Sequence, residues 1–177
     1  FTLDQVIEDR FQRLVAYQSV GYAQRYLDQI EKVRCVDRDP EAGDSLTHIV
    51  ALQLFKLMAY KDEYEVARLH SDDAFRAKLN AQFTGNYSIR FHLAPPLLSK
   101  ADPNTGKAKK YEFGSWLMPM FRILAKLKWL RGTRWDVFAL TSERRQERED
   151  LARYQADLAK VCDCLLYTSP SPRDVST

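Results

Sequence analysis

The sequence predicts a mainly α-helical protein, a domain of about six helices with a small inserted antiparallel β-hairpin. Outside residues 87–114, apolar side chains recur every three or four positions, as they do along one face of an α-helix. Within residues 87–114 the pattern changes to alternation, which is typical of strands with one buried face. A turn sequence with proline and glycine, residues 102–106, separates the two alternating runs.

The first two predicted helices follow each other closely. Thr2 is a good N-cap for a helix from Leu3 to about Tyr17, and Gly21 is expected to mark a break or bend before the second helix. The apolar stripes are Leu3, Ile7, Phe11 and Leu14 in the first helix and Tyr22, Tyr26, Ile30 and Val33 in the second. A polar connector at residues 37–43 then ends the pair, so we expect the two helices to be neighbours.

Two further helices precede the hairpin. The candidate caps are Asp44 or Ser45 for the third helix and Ser71 or Asp72 for the fourth. The third stripe is Leu46, Val50, Leu54 and Leu57, with a possible extension through Tyr60, Tyr64 and Ala67. The fourth stripe is Phe75, Leu79 and Phe83. Gly85 stands where a helix usually stops.

The hairpin strands are predicted from alternation alone. The first strand has Tyr87, Ile89, Phe91 and Leu93 on its apolar face, and Pro95 and Pro96 end it. In the second strand, Tyr111 and Phe113 alternate with Lys110 and Glu112. We expect both strands to bury these aromatic faces.

Two helices follow the hairpin. Ser115 is expected to open the fifth, Pro119 is tolerable in its first turn, and Gly132 stops it. Its predicted buried positions are Leu117, Met120, Phe121, Leu124 and Leu127. An apolar connector of Trp135, Val137, Phe138 and Leu140 is expected to pack beneath other elements. Thr141 or Ser142 caps the last helix, whose stripe is Leu151, Tyr154, Leu158 and Val161.

Composition limits the class of protein. The 177 residues, 45% of them hydrophobic, suffice for one domain with a core. The net charge of +3 is modest, but residues 100–134 contain nine basic and two acidic residues, a local charge of +7. Three cysteines without a CxxC pair suit a reducing compartment, and no apolar run reaches the length of a membrane span. A cytoplasmic location is therefore expected.

Metal and nucleotide sites have little support in the sequence. His48, His70 and His92 lie far apart, and the cysteines Cys35, Cys162 and Cys164 lack zinc-site spacing. No GxGxxG, GxxxxGK[ST] or GxSxG motif is present. The sequence thus predicts no catalytic, cofactor-binding or metal-ligating residue.

An acidic cluster, Asp62, Glu63 and Glu65, could hold paired carboxylates for acid–base chemistry. A salt-bridged surface with Arg68 and Lys61 as partners is the favoured reading. The cluster could instead hold an arginine of the hairpin, such as Arg90.

The basic hairpin and the helix after it form the candidate docking site, made of Lys107, Lys109, Lys110, Arg122 and Lys126. Such cations could follow phosphates, while Tyr111, Phe113 and Trp129 stack on bases. The favoured reading is a solvated hairpin whose aromatic residues fill the core. A third reading is a basic patch that docks an acidic protein.

Both ends of the chain are expected to be incomplete or foreign. The chain opens on Phe1 within a helical pattern, so an upstream portion is expected. Residues 164–174, CLLYTSPSPRD, resemble the translation of a transposase adapter used in sequencing-library preparation. We expect a helical domain over residues 1–163 and a disordered, adapter-derived tail over residues 164–177.

Three blocks carry a family resemblance. The motifs YKDEYEVARL (residues 60–69), FHLAPPLL (residues 91–98) and DPNTG with FGSW (residues 102–116) resemble the C-terminal region of the fused indolepyruvate ferredoxin oxidoreductases, members of the 2-oxoacid:ferredoxin oxidoreductase family. The resemblance extends from Leu3 to about Cys162.

The resemblance implies a parent enzyme that oxidatively decarboxylates aryl pyruvates to acyl-coenzyme A and reduces ferredoxin. Its thiamine diphosphate, iron–sulfur clusters and coenzyme A would bind to upstream domains, and no catalytic residue is carried over to this chain. This domain would pack against the catalytic domains or a partner subunit, in a homo-oligomer without membrane contact. The alternative is a stand-alone module that binds nucleic acid or protein through the basic hairpin.

Overall fold

The computed structural model describes residues 1–41, 45–85, 87–94 and 110–168. Within these residues lie seven α-helices and one two-stranded antiparallel sheet, which confirms the predicted mainly α class with a small hairpin. The chain divides into two compact units. Unit 1 is Phe1–Tyr60 with Arg145–Thr177, and unit 2 is Lys61–Arg144.

Unit 1 contains α1 (Leu3–Tyr17), α2 (Val20–Arg34), α3 (Leu46–Met58) and most of α7 (Ser142–Thr168). Thr2 caps α1, as the sequence predicted, and forms a capping box with Gln5. The interruption predicted at Gly21 lies instead at Gln18 and Ser19, and Gly21 itself lies inside α2. Ser19 starts that helix by accepting a hydrogen bond from the backbone N–H of Tyr22 at 3.1 Å.

The core of unit 1 confirms most of the predicted stripes. Its fully buried members are Leu14, Ala23, Tyr26, Ile30, Val33, Ala51 and Leu54. From α7, Leu158 is buried in the same core, with Leu151 and Tyr154 packed against it. Helical spacing of apolar residues therefore located this core well.

Three tyrosine hydroxyls donate hydrogen bonds to backbone carbonyls, two of them in α3 and one at Tyr60, just after α3. The pairs are Tyr17 with Tyr60 at 3.1 Å, Tyr22 with Met58 at 2.9 Å and Tyr26 with Ala51 at 3.0 Å. Burial also raises the pKa of Tyr26, so its hydroxyl remains a donor at neutral pH. The buried polar tips of these tyrosines are thus satisfied.

The third helix does not extend through Tyr64 as the stripe suggested. It ends at Met58, and α4 (Glu63–Ser71) begins anew after Asp62. The Asp62 carboxylate accepts a hydrogen bond from the backbone N–H of Glu65 at 2.8 Å, and this cap starts a separate helix.

Unit 2 continues with α5 (Asp73–Gln82), β1 (Phe91–Leu93), β2 (Tyr111–Phe113) and α6 (Leu117–Lys126), followed by short 3-10 helices at Leu127–Leu130 and Val137–Leu140. In the sheet, Phe91 is opposite Phe113 and Leu93 is opposite Tyr111. The predicted strand over residues 87–93 is longer than β1. Tyr111 is 36% exposed, so its predicted burial is wrong.

Three predictions about the segment after the hairpin are also wrong. Ser115 does not cap α6, whose N-cap residue is Trp116 without a side-chain hydrogen bond. Met120 is 52% exposed although burial was predicted. The connector residues Trp135, Val137 and Leu140 are exposed instead of packed beneath other elements, because the short 3-10 turn presents one side to solvent.

The last helix begins as predicted, with the Thr141 hydroxyl accepting a hydrogen bond from the backbone N–H of Arg144 at 3.4 Å. It continues to Thr168, so residues 164–168 are helical where disorder was expected. Extending an existing helix over Leu165 and Leu166 requires no new nucleation. The adapter origin of this segment stays a prediction. No helix in the described part of the chain combines the length and the hydrophobicity that a membrane span requires.

Candidate partner-docking site

A cavity of about 560 Å³ lies within unit 2 between α4, the hairpin, α6 and the first turn of α7. We call it the groove. Its apolar lining is Val66, Leu93, Phe113, Trp116, Leu117, Met120, Phe121, Leu124 and Phe138. An apolar concave surface of this size is typical of a binding site in proteins.

One wall of the groove is α6, and helical periodicity decides how its apolar residues divide. Leu117 and Phe121 are buried in the core of unit 2. Trp116, Met120 and Ile123, which follow each other at four and three residues, fall on a neighbouring face and are 58%, 52% and 63% exposed. We call these three residues the apolar stripe. The helix therefore has one apolar face inside the core and a second one facing solvent.

An aromatic cluster supports this wall from behind. The imidazole of His70 stacks on Phe121 with ring centroids 5.6 Å apart and meets the edges of Phe75 and Phe91 at 5.4 Å. Burial, with a smaller contribution from Lys61, lowers the pKa of His70, so the ring is neutral at pH 7. Its Nδ1 has no hydrogen-bond partner among the described residues.

A buried ion pair fixes the segment after α6 to the start of α4. The carboxylate of Asp62 accepts hydrogen bonds from Nε and from Nη2 of Arg131, the latter at 2.7 Å, and both side chains are about 96% buried. The guanidinium also lies over the ring of Tyr64 at 5.6 Å. Asp62 thus caps a helix and neutralises a buried cation at once.

Asp136 forms the second part of this buried network. It accepts hydrogen bonds from the hydroxyl of Tyr64 at 3.2 Å and from the backbone N–H groups of Gly132 at 2.8 Å and Phe138 at 3.2 Å. Burial, together with the Asp136 carboxylate, raises the pKa of Tyr64 to about 12. These bonds hold the loop after Gly132, whose φ of +74° suits glycine.

The polar end of the groove contains two charges of each sign. Arg144 lies 3.5 Å from the carboxylate of Glu63 and donates a hydrogen bond to the carbonyl of Lys61 at 2.9 Å. The side chains of Lys61 and Glu143 complete this end. Asp62 also lines the groove but is neutralised by Arg131, so the remaining charges balance and this end alone does not select an anionic or a cationic partner.

The predicted docking residues are only partly within the described chain. Lys107 and Lys109 lie outside it, while Lys110, Arg122 and Lys126 are described and exposed. Arg122 and Lys126 are four residues apart on α6, so their side chains are neighbours on one face of the helix.

The described residues also test the predictions for the acidic cluster and for a metal site. Glu65 pairs with Arg68 through hydrogen bonds of 2.7 and 2.8 Å, as predicted. Asp62 pairs with Arg131, and Arg90 pairs with Glu112 across the hairpin, so the suggested link between the cluster and Arg90 is wrong. In the described ranges, no three His, Cys, Asp or Glu side chains gather as metal ligands would.

Sequence reasoning missed the pair of Asp62 and Arg131 and the solvent-facing apolar stripe. The stripe was detectable, because seven of the ten residues of α6 are apolar and such a helix cannot bury every side in a small unit. The pair had no local signal, since the Asp-x-x-Glu spacing at residues 62–65 indicates only the helix start that Asp62 caps.

Comparison with known proteins gives one family. A model of a family of unknown function, DUF6537, matches residues 3–170. No curated protein and no solved structure matches the chain.

Proposed function

We propose that this chain, which belongs to the family of unknown function DUF6537, has a non-catalytic docking role in a larger oxidoreductase. The observation that carries the proposal is the apolar stripe of Trp116, Met120 and Ile123, which faces solvent beside an apolar groove. Exposed aromatic and apolar surface next to a concave site is characteristic of protein interfaces. The domain would use it to pack against the catalytic domains of its own polypeptide or a partner subunit.

The identity of the parent enzyme rests on the family resemblance of the three motif blocks. We propose an indolepyruvate ferredoxin oxidoreductase, a cytoplasmic homo-oligomer that converts aryl pyruvates to acyl-coenzyme A and reduces ferredoxin. Thiamine diphosphate and the iron–sulfur clusters would be held by upstream domains. The residues of this chain would supply shape and contact surface only.

The reading frame at the natural locus tests the parent identity. We expect the sequence before Phe1 to encode a thiamine diphosphate site and cysteines spaced for iron–sulfur clusters. A complete gene without those motifs would refute the assignment.

Assembly of the complete enzyme tests the docking role. Substitution Met120→Glu places a charge on the apolar stripe, so we expect subunits or domains to separate in size-exclusion chromatography with light scattering. The matched control is Ile49→Glu, an exposed apolar residue of α3 in unit 1. Intact assembly in the Met120 variant would contradict the role.

Ferredoxin docking on the cations is a separate part of the proposal. Glutamate substitutions at Lys110, Arg122 and Lys126 should slow ferredoxin reduction about tenfold at low salt and little at high salt. The control is Lys78→Glu on α5, which reverses an exposed charge elsewhere on unit 2. Unchanged kinetics would reject ferredoxin docking at this surface.

A nucleic-acid role is the second candidate, favoured by exposed Trp129 near the cationic segment. It predicts that the 177-residue chain shifts a single-stranded oligonucleotide at physiological salt. The docking role predicts no shift.

A further inference from the structure

The groove and the apolar stripe are one continuous surface. Trp116 and Met120 line the groove and are also more than half exposed, and Ile123 extends the same face by one turn. The surface follows α6, whose ten residues span about 15 Å. An elongated apolar surface of this length matches about three turns of a partner helix.

Helix-in-groove recognition needs this geometry. A partner helix presents apolar anchors at positions i, i+4 and i+7 and inserts them along one wall. Leu93, Phe113 and Phe138, which lie outside α6, also line the groove. The rigid backing comes from Phe121, which is fixed by its stack on His70.

The charge beside the stripe indicates which helix fits. Lys126 follows Ile123 by three residues and Arg122 by four, so the two cations border the stripe on the side away from the groove. Neither has a carboxylate partner within the described ranges, and α6 contains no acidic residue. At the far end of the groove, the positive charge of Lys61 and the negative charge of Glu143 cancel. The net field along the stripe is therefore positive.

The same charges disfavour a second copy of this chain as the occupant. Pairing α6 with α6 of another copy would place Arg122 and Lys126 opposite the same cations, with no carboxylate of either helix between them. Like charges brought together at an interface oppose association. An acidic helix meets no such repulsion.

We propose that the groove and the apolar stripe bind an acidic amphipathic helix of a partner protein. The inference names the partner chemistry of the docking surface and rests on the proposed function. Apolar anchors would enter between α6 and the hairpin, while glutamates or aspartates on one flank of the partner would face Arg122 and Lys126.

Two designed peptides of about 14 residues test the proposal on the 177-residue chain. Both carry leucine at three positions spaced i, i+4 and i+7 on an alanine-rich helix, one with glutamate at its flanking positions and the other with lysine. Fluorescence anisotropy of the labelled peptides measures binding. We expect the acidic peptide to bind at least tenfold more tightly at low salt, with the difference shrinking as salt rises.

Variants assign the binding to this surface. Met120→Glu should abolish binding of the acidic peptide, whereas the control Ile49→Glu should leave it unchanged. The double variant Arg122→Glu with Lys126→Glu should reverse the preference toward the lysine peptide. Circular dichroism of each variant checks the fold, which these exposed positions leave intact.

Three outcomes would overturn the inference. The first is that neither peptide binds, and the second is that both bind equally well. The third is a concentration-dependent dimerisation of the chain that the Met120→Glu substitution abolishes, since this would assign the surface to a second copy. The result is distinguishable from failure of the proposed function, because the peptide assay needs no enzyme and the assembly assay needs no peptide.

Discussion

Removing the carboxylate of Asp62 should be among the most damaging single changes in unit 2. The substitution Asp62→Ala leaves the guanidinium of Arg131, about 96% buried, without its bidentate partner. Breaking a buried ion pair from one side costs about 3–5 kcal/mol, because a desolvated charge remains. The same change removes the cap of α4, a loss of about 1 kcal/mol that overlaps with the first. We expect unit 2 to lose roughly 4 kcal/mol.

Urea denaturation monitored by tryptophan fluorescence measures the change in the unfolding free energy of unit 2. Trp116, Trp129 and Trp135 all belong to unit 2, so the signal reports that unit alone. With an m-value on the order of 1–2 kcal/mol per molar urea, the loss would move the midpoint by about 2–4 M or unfold unit 2 in water.

Two comparisons separate the buried charge from general damage. Glu112→Ala breaks the exposed pair with Arg90 in the same unit and should cost less than about 1 kcal/mol. The double change Asp62→Leu with Arg131→Met removes both charges and should recover part of the loss. If Asp62→Ala costs no more than Glu112→Ala, the reasoning from burial is refuted.

Three further predictions concern unit 2, and a fourth concerns unit 1. Folding lowers the pKa of His70 below its usual value of 6.5, so the free energy of unfolding is highest above pH 6.5 and decreases as the pH falls from 6.5 toward the folded pKa. The substitution His70→Phe should flatten this dependence, which urea midpoints measured at several pH values would show. Tyr64→Phe should cost about 1.5 kcal/mol by losing the hydrogen bond to Asp136, and an unchanged midpoint would contradict that bond. Gly132→Ala, at φ +74°, should cost about 1–2 kcal/mol in thermal unfolding, whereas Gly21→Ala inside α2 should raise the stability of unit 1 by up to about 1 kcal/mol.

Local rules predicted the start of most helices. The caps Thr2, Ser45 and Asp72 were among the candidates that the sequence offered, with Asp44 and Ser71 as alternatives, because a cap depends on three or four consecutive residues. Gly21 failed as a predicted break because glycine lowers helix propensity without preventing helix formation, and Ser19 nearby provided the stronger signal.

Long-range partners could not be read from spacing. Asp62 and Arg131 are 69 residues apart, and nothing in either neighbourhood identifies the other. Exposure of Met120 depended on which of two adjacent apolar faces of α6 reached the core, which only the packing of α4 and the hairpin decides. Docking at the cations Arg122 and Lys126 therefore stays a prediction, whereas the exposed apolar face of α6 was missed.

The three tyrosine hydroxyls of unit 1 have a consequence for how its helices can slide. Apolar contacts tolerate a shift along a helix axis, since one methyl group replaces another at little loss. The bonds from Tyr17, Tyr22 and Tyr26 do not, because a displacement by one residue would separate each hydroxyl from its carbonyl acceptor, and at Tyr26 this would leave a buried oxygen unpaired. These hydrogen bonds therefore favour a single axial alignment of α1 and α2 against α3.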